Sequence, residues 1–110
     1  MTLDDLIAYG ANVDEGLTRC MGNESFYLRL VESIKDEKGF DELKRALDEG
    51  KLDEAFSAAH GLKGVLGNLS LTPLYEPMSE ITELLRAETQ MDYSTLFAQI
   101  MDQWEKFCAL

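Results

Sequence analysis

The chain has 110 residues, a formal net charge of −11 and an apolar fraction of 45%, the profile of one globular domain long enough to bury a single core. Acidity of that size repels a phosphate backbone and an anionic lipid surface, which argues against nucleic-acid and membrane partners. No stretch reaches the ~20 apolar residues that span a bilayer, and the acidic start Met1-Thr2-Leu3-Asp4-Asp5 lacks the basic region of a signal peptide, so the cytoplasm is the expected compartment.

Leu, Ala, Glu, Asp, Lys and Met dominate while Val, Ile and Thr are sparse, a bias toward helix over sheet. Thr2 caps a first short helix through Ile7, with Asp5 completing a capping-box pattern and Gly10 ending it. Asn12 caps a second short helix, with Glu15 at its third position and Gly22 as its stop. Its apolar residues Val13, Leu17, Cys20 and Met21 fall at helical spacing. A longer helix starts at Asn23 and runs to about Lys38, its stripe Phe26, Leu30, Val31 and Ile34 with Tyr27 alongside, stopped by Gly39. Phe40 to Glu49 forms the next helix, with Leu43, Ala46 and Leu47 inward and Gly50 as its stop.

Asp53 is then expected to cap a helix running to about Leu69. Thr72-Pro73 marks the next start, a capping hydroxyl followed by proline at the first helical position. That helix runs to about Ala87 with Leu74, Met78, Ile81, Leu84 and Leu85 as its stripe, and Pro77 in an early turn. Glu88 to Asp92 is a polar connection. A last helix from Tyr93 to about Cys108 carries Leu96, Phe97, Ile100, Met101, Trp104 and Phe107. No segment alternates with period two, so no sheet is expected. The predicted fold is all-α: an antiparallel, up-down bundle of four longer amphipathic helices with two short helices in front, forming a single domain over residues 1–110. Phe26, Phe56, Phe97, Trp104 and Phe107 are expected in the core. Cys20 and Cys108 are read as reduced, helix-borne apolar residues, since their separation has no metal or redox spacing.

The chain's one histidine, His60, stands in Ala58-Ala59-His60-Gly61-Leu62-Lys63-Gly64-Val65-Leu66-Gly67-Asn68-Leu69. A helix turns about 100° per residue. With Ala59 at the centre of the buried stripe, Leu52, Ala55, Phe56, Leu62 and Leu66 fall within about 60° of it, Lys63 about 40° to one side and His60 about 100° to the same side. His60 is therefore expected at the border of core and solvent. Gly67 and Gly64 lie within about 20° and 40° of it along the helix, and Ser57 and Asp53 occupy the same flank before it. Glycine within a helix costs about 0.8–1 kcal/mol relative to alanine, so Gly61, Gly64 and Gly67 together cost about 2–3 kcal/mol. Access to His60 by a large partner accounts for Gly64 and Gly67; Gly61 points elsewhere.

His60-Gly61-Leu62-Lys63-Gly64, followed by Gly67-Asn68-Leu69, resembles the signature of histidine-containing phosphotransfer domains. Ala59 and the earlier Asn12-Val13-Asp14-Glu15-Gly16-Leu17 are similar to that family as well, and the resemblance spans nearly the whole chain in order and size. Gly61 departs from the Thr or Ser common after the family's histidine, and Ser70-Leu71 from a Gly and a small residue. The resemblance implies a helical bundle that carries a phosphoryl group on His60 and exchanges it with an aspartate of a response-regulator receiver domain, or receives it through a histidine kinase. It also implies that Lys63 orients or neutralises the phosphate and that Gly64 leaves room for it. Phe56, Ser57, Gly64, Gly67 and Asn68 are the candidate partner-binding residues.

A histidine side chain in water titrates near ~6.5 and at neutral pH mostly carries the lone pair that a nucleophile needs. In-line phosphoryl displacement calls for Mg²⁺ in an acidic pocket. No such cluster surrounds His60, so the Mg²⁺ is expected in the partner and no cofactor or metal on this chain, which is read as a carrier and not an enzyme. One histidine and two distant cysteines do not make a zinc site, nor the paired Glu-x-x-His of a di-iron bundle. No serine or cysteine has the setting of a catalytic triad. The Gly-x-x-Gly-x-x-Gly spacing lacks both the Walker pattern and a preceding strand. The alternatives are an interaction module that never carries phosphate, and the phosphotransfer portion of a larger hybrid sensor kinase. The compact ends at Met1 and Leu110 favour a free-standing carrier, expected as a monomer.

Overall fold

In the computed structural model, which describes Met1 through Leu110, every regular element is helical. In chain order these are α1 (Leu3–Tyr9), α2 (Val13–Arg19), α3 (Glu24–Ser33) continued by a 3-10 turn (Ile34–Asp36), α4 (Gly39–Asp48), α5 (Leu52–Asn68), α6 (Thr72–Arg86) and α7 (Ser94–Cys108). Short links turn α5, α6 and α7 each back against its predecessor, so that α4 to α7 form an antiparallel run. Phe40 at the start of α4 stacks on Trp104 near the end of α7, ring centroids 4.1 Å apart, which closes that run into a four-helix bundle. A fifth longer helix, α3, therefore precedes the bundle in addition to the two short ones. It packs across the C-terminal end of α5, where the buried Tyr27 hydroxyl donates to the Leu69 carbonyl at 2.8 Å. α1 meets α7 through Tyr9, whose hydroxyl donates to the Gln103 carbonyl at 3.1 Å and whose ring centroid lies 5.9 Å from that of Phe107.

The N-terminal starts follow their capping chemistry. The Thr2 hydroxyl accepts from the Asp5 amide and the Asp5 carboxylate from the Thr2 amide. Asn12 and Asn23 accept from the amides of Glu15 and Phe26, satisfying N–H groups that a first helical turn leaves without partners. Other boundaries differ from the sequence expectation, each for a local reason. α2 ends at Arg19, and Met21 takes φ +57° in the turn beyond it. Met21 thereby leaves the helical stripe and is 95% exposed. Gly39 opens α4 instead of stopping α3: a Cβ there would lie 2.8 Å from Leu62 Cδ2, so glycine lets the start of α4 close onto α5. Asp53 lies inside the first turn of α5, not at its cap, which falls on Lys51 without a side-chain bond. Thr72 is already helical and its hydroxyl turns toward the Ser70 carbonyl, so proline occupies the second helical position, where its missing N–H still costs nothing.

The core is a single cluster, with Leu6, Tyr27, Val31, Leu43, Leu66, Leu71, Leu74, Met78, Ile81, Ile100 and Phe107 among its most enclosed members. The aromatic residues divide in a way that composition did not indicate. Tyr27 is wholly buried while Phe26 is exposed, because the two are neighbours on α3 and the Tyr27 hydroxyl finds an acceptor inside. Phe56, Phe97 and Trp104 are only partly buried against the core, and only Phe107 of the expected set is fully enclosed. Cys20 is buried and Cys108 exposed, both as free thiols. No helix is long and apolar enough to cross a membrane.

Candidate functional site

α5 is the longest helix and lies between α4 and α6, its two principal neighbours. Ala55, Ala59, Leu62 and Leu66 are its buried residues, the stripe expected from the wheel. The remaining arc faces solvent, and His60 lies exposed at its middle. Ser57, Gly61, Gly64 and Asn68 share that open arc. Leu52 and Phe56, expected in the stripe, are only half-buried because they lie at its border.

The two glycines on the His60 flank of α5, Gly64 and Gly67, differ in what they do. A Cβ on Gly64 would meet nothing within 4 Å, so the surface beside the imidazole is open. A Cβ on Gly67 would lie 3.1 Å from Cε2 of Tyr75. Gly67 therefore lets α6 bring an aromatic ring close to α5, and the access expected of it is joined by a packing reason. Gly61 also has nothing within 4 Å of its missing side chain, and nothing in the structure explains it.

Lys63 is three residues from His60 and one turn along. Its ammonium pairs with Glu83 Oε1 on α6 at 3.1 Å, and Arg86 Nε meets the other oxygen of the same carboxylate at 3.1 Å. Hydrogen bonds from Lys63 and then Arg86 hold the Glu83 carboxyl below its ordinary range. The Arg86 guanidinium also sits over the Phe56 ring, 5.0 Å from its centroid. Phe56 in turn stacks on His60, centroids 5.5 Å apart and planes 19° from parallel.

From His60 a groove of about 600 Å³ runs along α5 between α2 and α6, lined among others by Arg19, Lys63, Gly64, Asn68, Ser70 and Tyr75. Its far wall comes from α2, where Arg19 donates to the Gly67 carbonyl at 2.9 Å and pairs with Glu15 at 2.7 Å. A cation at the C-terminal end of a helix is favoured by the exposed carbonyls there. Ser70, two residues beyond the end of α5, has φ +56°, and its buried hydroxyl has no hydrogen-bond partner. That is the left-handed conformation in which glycine is at ease, which gives a physical meaning to the departure from a glycine at this point of the sequence.

His60, Lys63, Gly64, Gly67 and Asn68 are thus brought to one groove. Phe56 borders it through the imidazole. Ser57 lies on the other flank of α5, in a shallow depression with Arg45, Asp53 and Glu54. Sequence reasoning missed Arg19, Tyr75, Glu83 and Arg86. The spacing of Glu83 and Arg86 marks them as an i,i+3 pair, but their meeting with Lys63 and Phe56 depends on how α6 packs on α5. No group of three or more histidine, cysteine or acidic side chains is gathered where it could hold a metal ion.

No curated protein and no solved structure matches the chain. The family model described as Hpt domain matches residues 31–109, from the last turn of α3 through α7, and so includes the whole bundle and His60. Members of that family are helical bundles that serve histidine phosphotransfer in two-component signalling, interacting with receiver domains and kinases. The all-helical fold, the exposed histidine at the middle of the central helix and the match over most of the chain agree, and the chain belongs to the Hpt domain family.

Proposed function

We propose that residues 1–110 act as one phosphotransfer domain, a monomer that carries a phosphoryl group on His60 between a histidine kinase or receiver domain and the next receiver of a phosphorelay. One observation carries this reading. A family defined by a phosphorylated histidine has, in this member, a single histidine to use, and that side chain is exposed on a face cleared by Gly64.

The chemistry asks little of the chain beyond position. The ring nitrogen that carries no proton attacks phosphorus of an aspartyl phosphate. As the N–P bond forms, the P–O bond breaks and the carboxylate leaves with its electron pair, so no base is needed on this side. The reverse step returns the phosphoryl group to a carboxylate. Mg²⁺ and its acidic ligands belong to the partner in this scheme. Lys63 lies one turn from the imidazole with a cation free to leave its exposed partner Glu83, and it would meet the phosphoryl oxygens. Phe56, Gly64, Gly67 and Asn68 frame the surface on which the receiver rests, and Ser57 would be reached only by a partner that extends across α5 to its other flank.

The test is labelling from a phosphorylated receiver domain with Mg²⁺. Wild type is expected to take label in an acid-labile, base-stable bond, and His60→Gln to take none. Equal labelling of the two overturns the assignment of His60. Absence of label in wild type with every receiver of the source organism and with small phosphodonors would favour a module that only docks.

A further inference from the structure

An exposed imidazole on a helix turns freely about its last torsion, whose energy wells are broad. A nucleophile of this kind has to aim one lone pair along the bond being broken, and each unaimed rotamer is a lost encounter. His60 is exposed, yet its ring is not unsupported. Phe56 precedes it by one helical turn, the spacing at which side chains on one face meet, and the two rings stack with centroids 5.5 Å apart and planes 19° from parallel.

The supporting ring is itself held. Arg86 places its guanidinium carbon 5.0 Å from the Phe56 centroid, a cation over an aromatic ring. Arg86 Nε donates to Glu83 Oε2 at 3.1 Å, and Glu83 Oε1 accepts from Lys63 Nζ at 3.1 Å. The contacts run from the imidazole through Phe56, Arg86 and Glu83 to Lys63, which lies on the next turn from the imidazole. Most of this set of contacts lies outside the core. Phe56 is only partly buried, Glu83 and Arg86 are exposed, and exposed ion pairs contribute little to stability.

Resting on the phosphotransfer reading of His60, we propose that Phe56, pinned by Arg86 and through it by Glu83, is a positioning residue that fixes the plane of the His60 imidazole for in-line attack. Phe56 does not touch the phosphoryl group. It narrows the rotation of the ring that does, and Arg86 keeps the Phe56 ring from swinging away.

The chain's single histidine makes this measurable without assignment, because one pair of imidazole C–H signals appears in a proton–carbon spectrum. In the unphosphorylated wild type those signals are expected upfield, shielded by the Phe56 ring. Phe56→Leu returns them toward the position of a free histidine, Arg86→Ala moves them part of the way, and Phe56→Tyr leaves them in place. Phosphorylation by phosphoramidate, a donor too small to need docking, is expected to be about five- to tenfold slower in Phe56→Leu, the range that loss of one aromatic pair allows, intermediate in Arg86→Ala and near wild type in Phe56→Tyr. Unmoved signals in Phe56→Leu and Arg86→Ala overturn the brace. Moved signals with an unchanged phosphoramidate rate, or a loss seen only with a receiver domain as donor, show that Phe56 serves docking and overturn its positioning role. Arg86 is exposed, so its variant reads the brace even if Phe56→Leu fails to fold. Wild type that accepts no phosphoryl group from any donor overturns the phosphotransfer reading itself, a result separate from both of these.

Discussion

Gly16 on α2 faces the ring of Tyr27 on α3 so closely that a Cβ on Gly16 would lie 2.5 Å from the Tyr27 Cε1. The ring has no room to retreat, because its hydroxyl is bound to the Leu69 carbonyl and its side chain is wholly buried. One glycine thus sets how near α2 comes to the rest of the molecule. Gly16→Ala is expected to cost about 1–3 kcal/mol through overpacking, read as a lower urea midpoint. It should also displace Arg19, three residues on, from the Gly67 carbonyl. An unchanged midpoint would mean that the ring moves aside freely.

Tyr27 also predicts an alkaline limit. Burial first, and the negative charge of the Cys20 thiolate second, push its hydroxyl up to about 12 from an ordinary value of 10.0. A folded value above the unfolded one means that this contribution is complete below pH 10.0. As pH rises from 10.0 toward about 12 the unfolded chain ionises while the native hydroxyl does not, and stability falls. Urea midpoints should decline across that window in wild type. In Tyr27→Phe the decline should be shallower, the remainder belonging to Tyr9, Tyr93 and Cys108, each raised chiefly by desolvation.

The two glycines beside His60 should separate under substitution. Gly64→Ala gains helix propensity with nothing to strike, so it should stabilise the fold by about 0.5–1 kcal/mol. Gly67→Ala gains the same propensity but meets the Tyr75 ring at 3.1 Å, and its urea midpoint should fall below that of Gly64→Ala. Gly64→Leu is expected to keep wild-type helical content while slowing transfer from a receiver by about 10- to 100-fold. Equal transfer rates would remove access as the reason for this glycine.

Lys63 and Glu83 form the remaining test. Lys63→Ala should slow transfer or shorten the life of the phosphorylated form by about 10-fold or more, the scale of a hydrogen bond to a charged group, and leave circular dichroism unchanged. Glu83→Gln frees the ammonium without removing it. If Lys63 serves the phosphoryl group, this variant should hold phosphate at least as long as wild type. A shorter phosphoform lifetime in Glu83→Gln would show that the carboxylate, and not the released lysine, is what the site needs.

The helices were legible in the sequence because their stripes and caps are local. Thr2 with Asp5, Asn12 with Glu15 and Asn23 with Phe26 announce their starts within one turn. His60 was legible for the same reason, since the core stripe of α5 fixes which arc of the helix remains open. Contacts between helices were not. Phe56 looks like a core residue by composition and spacing alone, and its half-exposed place under Arg86 follows only from where α6 lies. Gly39 looks like a stop, and its meeting with Leu62 cannot be read from neighbours along the chain. Gly67 belongs to the same class, since Tyr75 is its reason. Met21 departs because a left-handed turn residue interrupts a spacing that would otherwise continue the helix.

The hydrogen bond from Arg19 to the Gly67 carbonyl ties α2 to the helix that carries His60. Gly67 lies within the segment that the family model matches, and Arg19 lies ahead of it. The wall of the groove opposite α6 is therefore furnished by residues outside the matched segment. Substitutions between Asn12 and Arg19 can remodel that wall while the helix bearing the imidazole keeps its sequence, so the chain holds its reactive group and part of its lock in separately editable places.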